Sequence, residues 1–320
     1  MKPSVRIIKR RILIDAMASL HEPLIRMRDG WLQLPGNTRG VFWLLMYTIS
    51  FAGADVLAKT MGLQINLMVI LFLRYFISLF LIVPVVLYVG VGVLKTERPG
   101  IHAVRATISV SAQLLVYYAL INMYVADVTA IAFTRPLFVT FLAVWFLSET
   151  VGWRRWVATG IGFIGVFIMV GPAASDVHYA AAGAALLGTL MFGVAMVMVR
   201  RFAPTEPPIR FVFYYHFGGA ILALGPAIYY WQTPTWTEFG FLVAIAVTST
   251  IAMTCGIRAY SVGEVSIVGP VEYIRLLFAA VLGYLVFAEM PGSSTWIGAT
   301  VIIAATYYIA RYEAVKRTAP

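Results

Sequence analysis

Residues 117–156 read YYALINMYVADVTAIAFTRPLFVTFLAVWFLSETVGWRRW, and residues 259–290 read AYSVGEVSIVGPVEYIRLLFAAVLGYLVFAEM. When the chain is shifted on itself by 140 residues, no gap is needed to align the two copies across residues 117–170. Five identities mark this repeat: Ala119 with Ala259, Arg135 with Arg275, Phe138 with Phe278, Glu149 with Glu289, and Trp156 with Trp296. The chain is therefore predicted to consist of two halves with the same fold.

The composition is that of an integral membrane protein. Of 320 residues, 61% are hydrophobic and 12% are charged, whereas soluble domains carry about 25% charged residues. Ten apolar runs are candidates for spanning helices of about 20 residues: approximately 40–60, 66–90, 101–122, 126–147, 153–170, 179–200, 209–231, 237–257, 264–288 and 294–311. Because these runs are far longer than the strands of a membrane barrel, the predicted fold is an all-α membrane protein with ten transmembrane helices.

Ten spans in two halves give five spans to each half. Because five is odd, the second half enters the membrane from the opposite side, so the halves form an inverted repeat. Shifts of 141 and 142 residues extend the repeat upstream: Phe51 with Phe192, Lys59 with Arg200, and Pro84 with Pro226. Inverted repeats are typical of secondary transporters, whose substrate site lies near the midplane between the halves. A channel or a lipid scramblase is the alternative.

Basic residues set the predicted orientation of the spans. With the N-terminus in the cytoplasm, twenty of the 24 Lys and Arg residues fall in cytoplasmic segments and none in the outer loops. The remaining four, Lys59, Arg74, Arg135 and Arg275, lie within spans. This asymmetry places both termini inside. It also accounts for the net charge of +10 without a nucleic-acid partner.

Four segments are expected along the chain. They are a basic cytoplasmic tail over 1–39, a five-span repeat over 40–170, a second repeat over 179–311, and a cytoplasmic tail over 312–320. Apolar and basic residues near the start of the first tail predict a short amphipathic helix on the anionic inner leaflet; a disordered tail that only sets topology is the alternative. Since Cys255 is the single cysteine, no internal disulfide is possible.

The two quoted stretches resemble the repeats of the drug/metabolite transporter superfamily, in its EamA-type branch of ten helices. Each copy runs from an Ala-rich helix start to a helix that ends in Glu, with a Trp soon after. Within the superfamily, SFAGADVLAK, FLRYF, TAIAFTRPLFVT and SETVGWRRW look most like the group described as S-adenosylmethionine uptake transporters. The resemblance implies an inner-membrane location and a central cavity lined by both halves. One departure, Leu276 in place of Pro136, predicts that any helix break there is not symmetric.

Charged residues within the spans are the candidates for a solute site, since a charge in the bilayer costs roughly 2.5–3.5 kcal/mol and usually faces the bundle interior. The acids are Asp55, Asp127 and Glu272, with Glu264 at an edge. Asp55 and Lys59 are four residues apart, and Glu272 and Arg275 are three apart, so each pair shares a helix face and could neutralise itself. For Lys59, snorkelling to the interface is a further alternative. Arg74 has no acid at these spacings, which predicts a partner across the bundle or on a substrate.

Arg135 and Arg275 occupy equivalent mid-span positions. Arginine suits bidentate contact with a carboxylate or phosphate, and a fixed interhelical salt bridge is the alternative. Aromatic residues surround these positions: Tyr75, Tyr117, Tyr118, Phe133, Tyr214, Tyr215, Tyr260 and Tyr273. Together with acids they would suit an organic cation, although each could be a packing or interface residue. His216 falls on Arg74 at a shift of 142 and could titrate with transported protons or be a satisfied membrane histidine.

These side chains form the predicted substrate site: Asp55, Arg74, Tyr75, Tyr118, Arg135, Tyr214, His216, Tyr260, Glu272 and Arg275. Within it, we expect Glu272 and Arg275 to act as one unit with Arg135, where the fourth and ninth spans meet near the midplane. The two glutamates after the repeated helices, Glu149 and Glu289, are predicted to cap the next helix.

No catalytic motif is present. The run GIGFIG at residues 160–165 has nucleotide-binding spacing, but it lies within a span and predicts close helix packing. We therefore expect no enzyme, no cofactor and no metal. The predicted function is secondary active transport of a small polar or zwitterionic metabolite, S-adenosylmethionine-like or amino-acid-like, across the inner membrane by alternating access. Export by the same fold, or lipid scrambling, is the alternative. The predicted partners are the metabolite and membrane lipid, with the protein a monomer or homodimer.

Overall fold

A computed structural model describes residues 31–147, 152–170, 178–202, 205–263 and 268–318. Over these residues the chain is helical and contains no β-strand. Its α-helices are α1 (Gly36–Gly62), α2 (Leu67–Val89), α3 (Pro99–Asn122), α4 (Val125–Ala132), α5 (Arg135–Leu147), α6 (Trp153–Val170), α7 (Tyr179–Phe202), α8 (Pro208–Tyr229), α9 (Trp236–Val262), α10 (Arg275–Phe287) and α11 (Ser293–Thr318).

These helices give ten consecutive segments that correspond to the predicted spans. The fourth span consists of α4 and α5, and the ninth consists of a 3₁₀ turn, Gly269–Ile274, followed by α10. Among the described residues, eight segments are long and apolar enough to cross a membrane, and Trp156–Val170 is a shorter apolar one. The protein is therefore a multi-pass membrane protein. The predicted amphipathic helix of the first tail lies outside the described residues, as do Glu149 and Glu264.

Helix starts coincide with residues that replace or satisfy the free N–H groups of a first turn. Asn66 accepts a backbone N–H at the start of α2, and Thr235 forms a capping box with Glu238 at the start of α9. Pro99 and Pro208 open α3 and α8, where a residue without an N–H is tolerated. The boundaries between spans are therefore encoded locally.

The helices pack in pairs that the repeat relates. The first span contacts the eighth, through α1 and α9, and the sixth contacts the third, through α7 and α3. The second and seventh spans pack together, and so do the fifth and tenth. When the halves are exchanged, the contact between the first and eighth spans becomes the contact between the sixth and third spans. The other two contacts map onto themselves. This pattern confirms the predicted fold of two inverted five-helix repeats.

The segment directly before the repeated arginine differs between the two repeats, although an α-helix starts at the arginine in both. Between α4 and α5 the chain makes a turn, and α5 starts at Arg135. In the ninth span the 3₁₀ turn ends at Ile274, and α10 starts at Arg275. The structure agrees with the prediction that the break is not symmetric. A turn separates α4 from α5 in the first repeat, whereas the 3₁₀ turn runs directly into α10 in the second. Pro136 is the second residue of α5 and removes no hydrogen bond there.

Candidate substrate site

One face of α1 points at the ninth span along most of its length. It carries four residues at intervals of four: Tyr47, Phe51, Asp55 and Lys59. Residues at this spacing lie on one helix face, as the sequence predicted for the last two. The two charges do not pair with each other, however. Asp55 pairs with Arg275 at the start of α10, and Lys59 pairs with Glu289 just after it. The expected intrahelical pair of Asp55 and Lys59 is therefore wrong.

Asp55 and Arg275 form a buried salt bridge between the two halves. The Nη2 atom of Arg275 donates to Oδ2 of Asp55 at 2.5 Å, and both residues are buried. The guanidinium carbon also lies 4.1 Å from the ring centroid of Phe51, one turn away on α1. Removing one partner of such a pair strands a buried charge at a cost of about 3–5 kcal/mol. The anion opposite Arg275 is thus Asp55, and the predicted unit of Arg275 with Glu272 is not what forms.

Glu272 is held by hydroxyl groups instead of a cation. The hydroxyls of Tyr47 and Tyr260 donate to its two carboxylate oxygens, each at 3.2 Å. In the part of the chain that the structure describes, Glu272 makes no salt bridge. Sequence reasoning missed Tyr47, although its spacing of eight residues from Asp55 places it on the same face. Glu272 is therefore a half-buried acid whose charge is available to a ligand.

Arg135 is the counterpart of Arg275 in the first repeat, and no salt bridge holds it in the part of the chain that the structure describes. Its guanidinium carbon lies 5.6 Å from the ring centroid of Phe192, the residue that the repeat relates to Phe51. The same shift places Met196 at the position of Asp55. Among the described residues Arg135 has no carboxylate partner, and its Nε atom is buried without a hydrogen bond. The first repeat therefore has the aromatic contact of the second repeat, but not its acid.

Arg74 lies among tyrosines in the core of the bundle. Its guanidinium carbon is 5.3 Å from the ring centroid of Tyr75 and 5.6 Å from that of Tyr117 on α3. The residue is buried, and its Nε and Nη1 atoms have no hydrogen-bond partner in the described structure. The predicted partner across the bundle is therefore an aromatic face. Tyr118 does not join this group, because it is 38% exposed and points towards His178.

Tyr75, in the second span, contacts Tyr215 and His216 in the seventh span. Its hydroxyl donates to that of Tyr215 at 3.3 Å, and its ring centroid lies 6.0 Å from that of His216. Tyr75 is fully buried against Gly219, where an added Cβ atom would lie 2.6 Å from the ring. Both ring nitrogens of His216 are buried without a hydrogen bond in the described residues. This histidine is therefore not satisfied by a neighbour, and it sits close to Arg74.

Tyr214 belongs to a different site, near the loops that join α2 to α3 and α7 to α8. It donates to the carbonyl of Leu94 at 3.0 Å, and its ring stacks on His102 at 4.5 Å. The prediction that Tyr214 lies with the central residues is therefore not supported by its position. Tyr260 does contact Glu272, but it is 41% exposed and lies at the edge of the group.

Glu206 organises these loops. Burial would raise the pKa of its carboxyl, but hydrogen bonds from Arg210 at 2.5 Å, Thr96 at 2.9 Å and His102 at 3.3 Å hold this pKa below its usual value. Arg210 also donates to the carbonyl of Val93 at 2.8 Å. The result is a charged cluster that fastens two adjacent loops at one end of the bundle.

Glu289 closes the other end of the bundle. It was predicted to cap the next helix, and this is wrong. Its Oε2 atom accepts the N–H of Val125, the first residue of α4, at 2.8 Å, and its Oε1 atom accepts from Lys59 Nζ at 2.5 Å. Lys59 also donates to the carbonyl of Met123 at 2.6 Å. Glu289 thus caps a helix of the other repeat, because the inverted symmetry brings the end of the ninth span to the start of the fourth.

Two inverted five-span repeats that enclose unpaired charges and tyrosines define a solute transporter of the membrane. The chain belongs to the EamA-like transporter family, which matches residues 38–171 and again residues 180–311. This family is part of the drug/metabolite transporter superfamily. The resemblance found in the sequence is therefore confirmed, and the protein is a small-metabolite transporter and not an enzyme.

Individual relatives cover most of the chain. An S-adenosylmethionine uptake transporter of Rickettsia bellii is 32% identical over 84% of this chain and 92% of its own. A riboflavin transporter of Vibrio cholerae is 28% identical over 87% of this chain and 95% of its own. A pseudopaline exporter of Pseudomonas aeruginosa is 24% identical over 85% of this chain and 96% of its own. A solved structure shares the fold with a TM-score of 0.57 and 18% identity, over 83% of this chain and 98% of that one.

Proposed function

We propose that the protein carries a zwitterionic metabolite of the S-adenosylmethionine type across the inner membrane by alternating access. The observation that carries this proposal is the unpaired state of Arg135. Its repeat mate Arg275 is neutralised by Asp55. Arg135 has no carboxylate partner among the described residues, and the repeat aligns Asp55 with Met196, which is 58% exposed. The Arg135 side chain is half-buried, and its Nε atom is buried without a hydrogen bond among the described residues, so a carboxylate on the solute would be well matched to this position.

Opposite charges on such a solute would meet different residues. Its carboxylate would contact Arg135, and its cationic group would contact Glu272, which only tyrosine hydroxyls hold. The ring of Tyr215, which is half-buried beside Tyr75, offers stacking for a planar ring. Similarity supports the same substrate type, since the Rickettsia relative that is named for S-adenosylmethionine uptake is more similar than the riboflavin and pseudopaline relatives.

The test is uptake of labelled S-adenosylmethionine into proteoliposomes that contain wild type or Arg135→Ala. We expect wild type to take up the label and Arg135→Ala to lose at least tenfold in kcat/KM, because the contact is charge-assisted. Arg98→Ala is the matched control, since Arg98 is exposed and also lies 5.6 Å from a phenylalanine ring. Uptake by Arg135→Ala at the wild-type rate, or none by wild type, would contradict the proposal.

The proposed orientation has both termini in the cytoplasm of an inner-membrane protein that is surrounded by lipid as a monomer or homodimer. The distribution of Lys and Arg residues supports this orientation. In a Cys255→Ser background, an impermeant thiol reagent outside the cell should label Gln232→Cys and fail to label Thr205→Cys. The reverse result would invert the topology. Crosslinking in native membranes, compared between low and high expression, tests for the homodimer.

A further inference from the structure

A cavity of about 410 Å³ opens at one end of the bundle, away from the Arg135 and Arg275 positions. The ends of the third, fifth and ninth spans and the starts of the fourth, sixth and tenth spans line it, on what is the outer side in the proposed orientation. Lys59, Asp127, His178 and Glu289 are among its lining residues. The volume falls within the roughly 300–1,000 Å³ typical of small-molecule sites.

The charges that line this cavity do not cancel. Lys59 and Glu289 neutralise each other in a buried pair. The Nδ1 atom of His178 accepts the N–H of Ala181 at 3.2 Å, at the start of α7. Among the described lining residues, Asp127 is then the carboxylate that has no cation paired with it. Its carboxylate accepts from the hydroxyl of Thr295 at 2.6 Å and makes no salt bridge among the described residues.

Asp127 also lies in the first turn of α4, where an acid stabilises the helix dipole. That role alone does not require the acid to face a cavity. The first N–H of this helix is already taken by Glu289, and Asp127 is only half-buried. Its carboxylate is therefore accessible from the cavity while the helix start is secured by another residue.

We propose that this cavity is an outer binding site for organic cations, such as an ammonium or sulfonium group, with Asp127 as the carboxylate that holds the cation. The Lys59–Glu289 pair forms part of the wall between this site and the central residues. Lys59 lies one turn, about 6 Å along α1, from Asp55. A cation bound beside Asp127 would therefore lie on the outer side of the Asp55–Arg275 salt bridge that joins the two halves. This inference does not depend on the identity of the transported metabolite.

The test measures the reactivity of a cysteine inside the cavity. In a Cys255→Ser background, Ser294→Cys lines the cavity, and Ser293→Cys on the exposed side of the same helix start is the control. Impermeant methanethiosulfonates, one carrying trimethylammonium and one carrying sulfonate, are added outside the cell. We expect the cationic reagent to be preferred about five- to tenfold more strongly at Ser294→Cys than at Ser293→Cys, because Asp127 attracts cations at short range.

Two further measurements separate binding from helix stabilisation. Asp127→Asn should abolish the excess preference at Ser294→Cys, and Asp127→Glu should retain it. Tetramethylammonium should slow labelling of Ser294→Cys when Asp127 is present, which keeps the test valid even if Asp127→Asn does not fold. Equal preference at both cysteines, no protection by tetramethylammonium, or labelling only from the cytoplasmic side would overturn the proposal. Since labelling requires no transport, this result is independent of the uptake assay.

Discussion

Arg275 has a carboxylate partner, whereas Arg135, its counterpart in the first repeat, has none among the described residues. Each arginine is the first residue of an α-helix, and each guanidinium faces a phenylalanine that the repeat relates to the other. Arg275 has Asp55 one turn beyond that phenylalanine, whereas Arg135 has Met196. The two repeats therefore share the contact between arginine and phenylalanine but not the salt bridge. Arg135, which has no carboxylate partner among the described residues, is a better candidate for a ligand contact than Arg275, which has one.

The largest loss of stability should come from breaking the salt bridge between Asp55 and Arg275. Asp55→Ala strands the Arg275 charge in the core and should lower the free energy of unfolding by about 3–5 kcal/mol. Arg135→Ala removes a charge that has no anion to strand, so its melting temperature in detergent should stay close to that of wild type. Thermal unfolding of both variants, followed by intrinsic fluorescence, makes the comparison. Equal destabilisation by the two substitutions would mean that the difference between the sites is not functional.

Restoring the missing acid tests the same comparison in the opposite direction. Met196→Asp places a carboxylate one turn from Phe192, as Asp55 is from Phe51. If this acid occupies Arg135, it competes with the carboxylate of the solute, and we expect kcat/KM for S-adenosylmethionine uptake to fall about tenfold, or 1.4 kcal/mol. Met196→Asn, which is similar in size but uncharged, is the control. Unchanged uptake by Met196→Asp would contradict this prediction.

A third arginine, Arg210, tests whether the burial of an ion pair determines how much stability is lost when its acid is replaced. Arg210 pairs with Glu206 in a loop cluster at one end of the bundle, and its side chain is 13% exposed, compared with 6% for Arg275. Glu206→Gln should therefore cost about 1–2 kcal/mol at pH 7, less than Asp55→Ala. A cost as large as that of Asp55→Ala would contradict this ranking.

The pH dependence of stability provides a smaller test at the same cluster. Because hydrogen bonds lower the pKa of folded Glu206, its stabilisation is present above the unfolded pKa of 4.5 and is lost as the pH falls through the lower folded value. The melting temperature of wild type should therefore fall more steeply than that of Glu206→Gln below pH 4.5. Parallel curves for the two proteins would show that the Glu206 carboxyl is not responsible.

The sequence predicted the architecture well because the relevant signals are local. Span lengths, prolines and the 140-residue repeat determine the helices and their pairing. Contacts between spans were harder to predict. The spacing of Asp55 and Lys59 identified their common face but not the ninth span as its neighbour. Tyr117 and Tyr118 are adjacent in sequence but separated by about 100° around the helix, so only the packed structure shows which one reaches Arg74. The four-residue interval between Tyr47 and Phe51 continues to Asp55 and could have placed both aromatic residues on the same helix face as this acid.

Glu289 has a consequence for how the chain is made. It supplies the hydrogen-bond acceptor for Val125, which precedes it by 164 residues, and the counter-charge for Lys59, which precedes it by 230 residues. At typical synthesis rates, Lys59 spends roughly 10–50 s in the nascent chain before its partner is translated. During that interval the first half must hold an unpaired lysine and an incomplete helix start. Chains that stop before residue 289 therefore lack both the counter-charge of Lys59 and the hydrogen-bond acceptor of Val125.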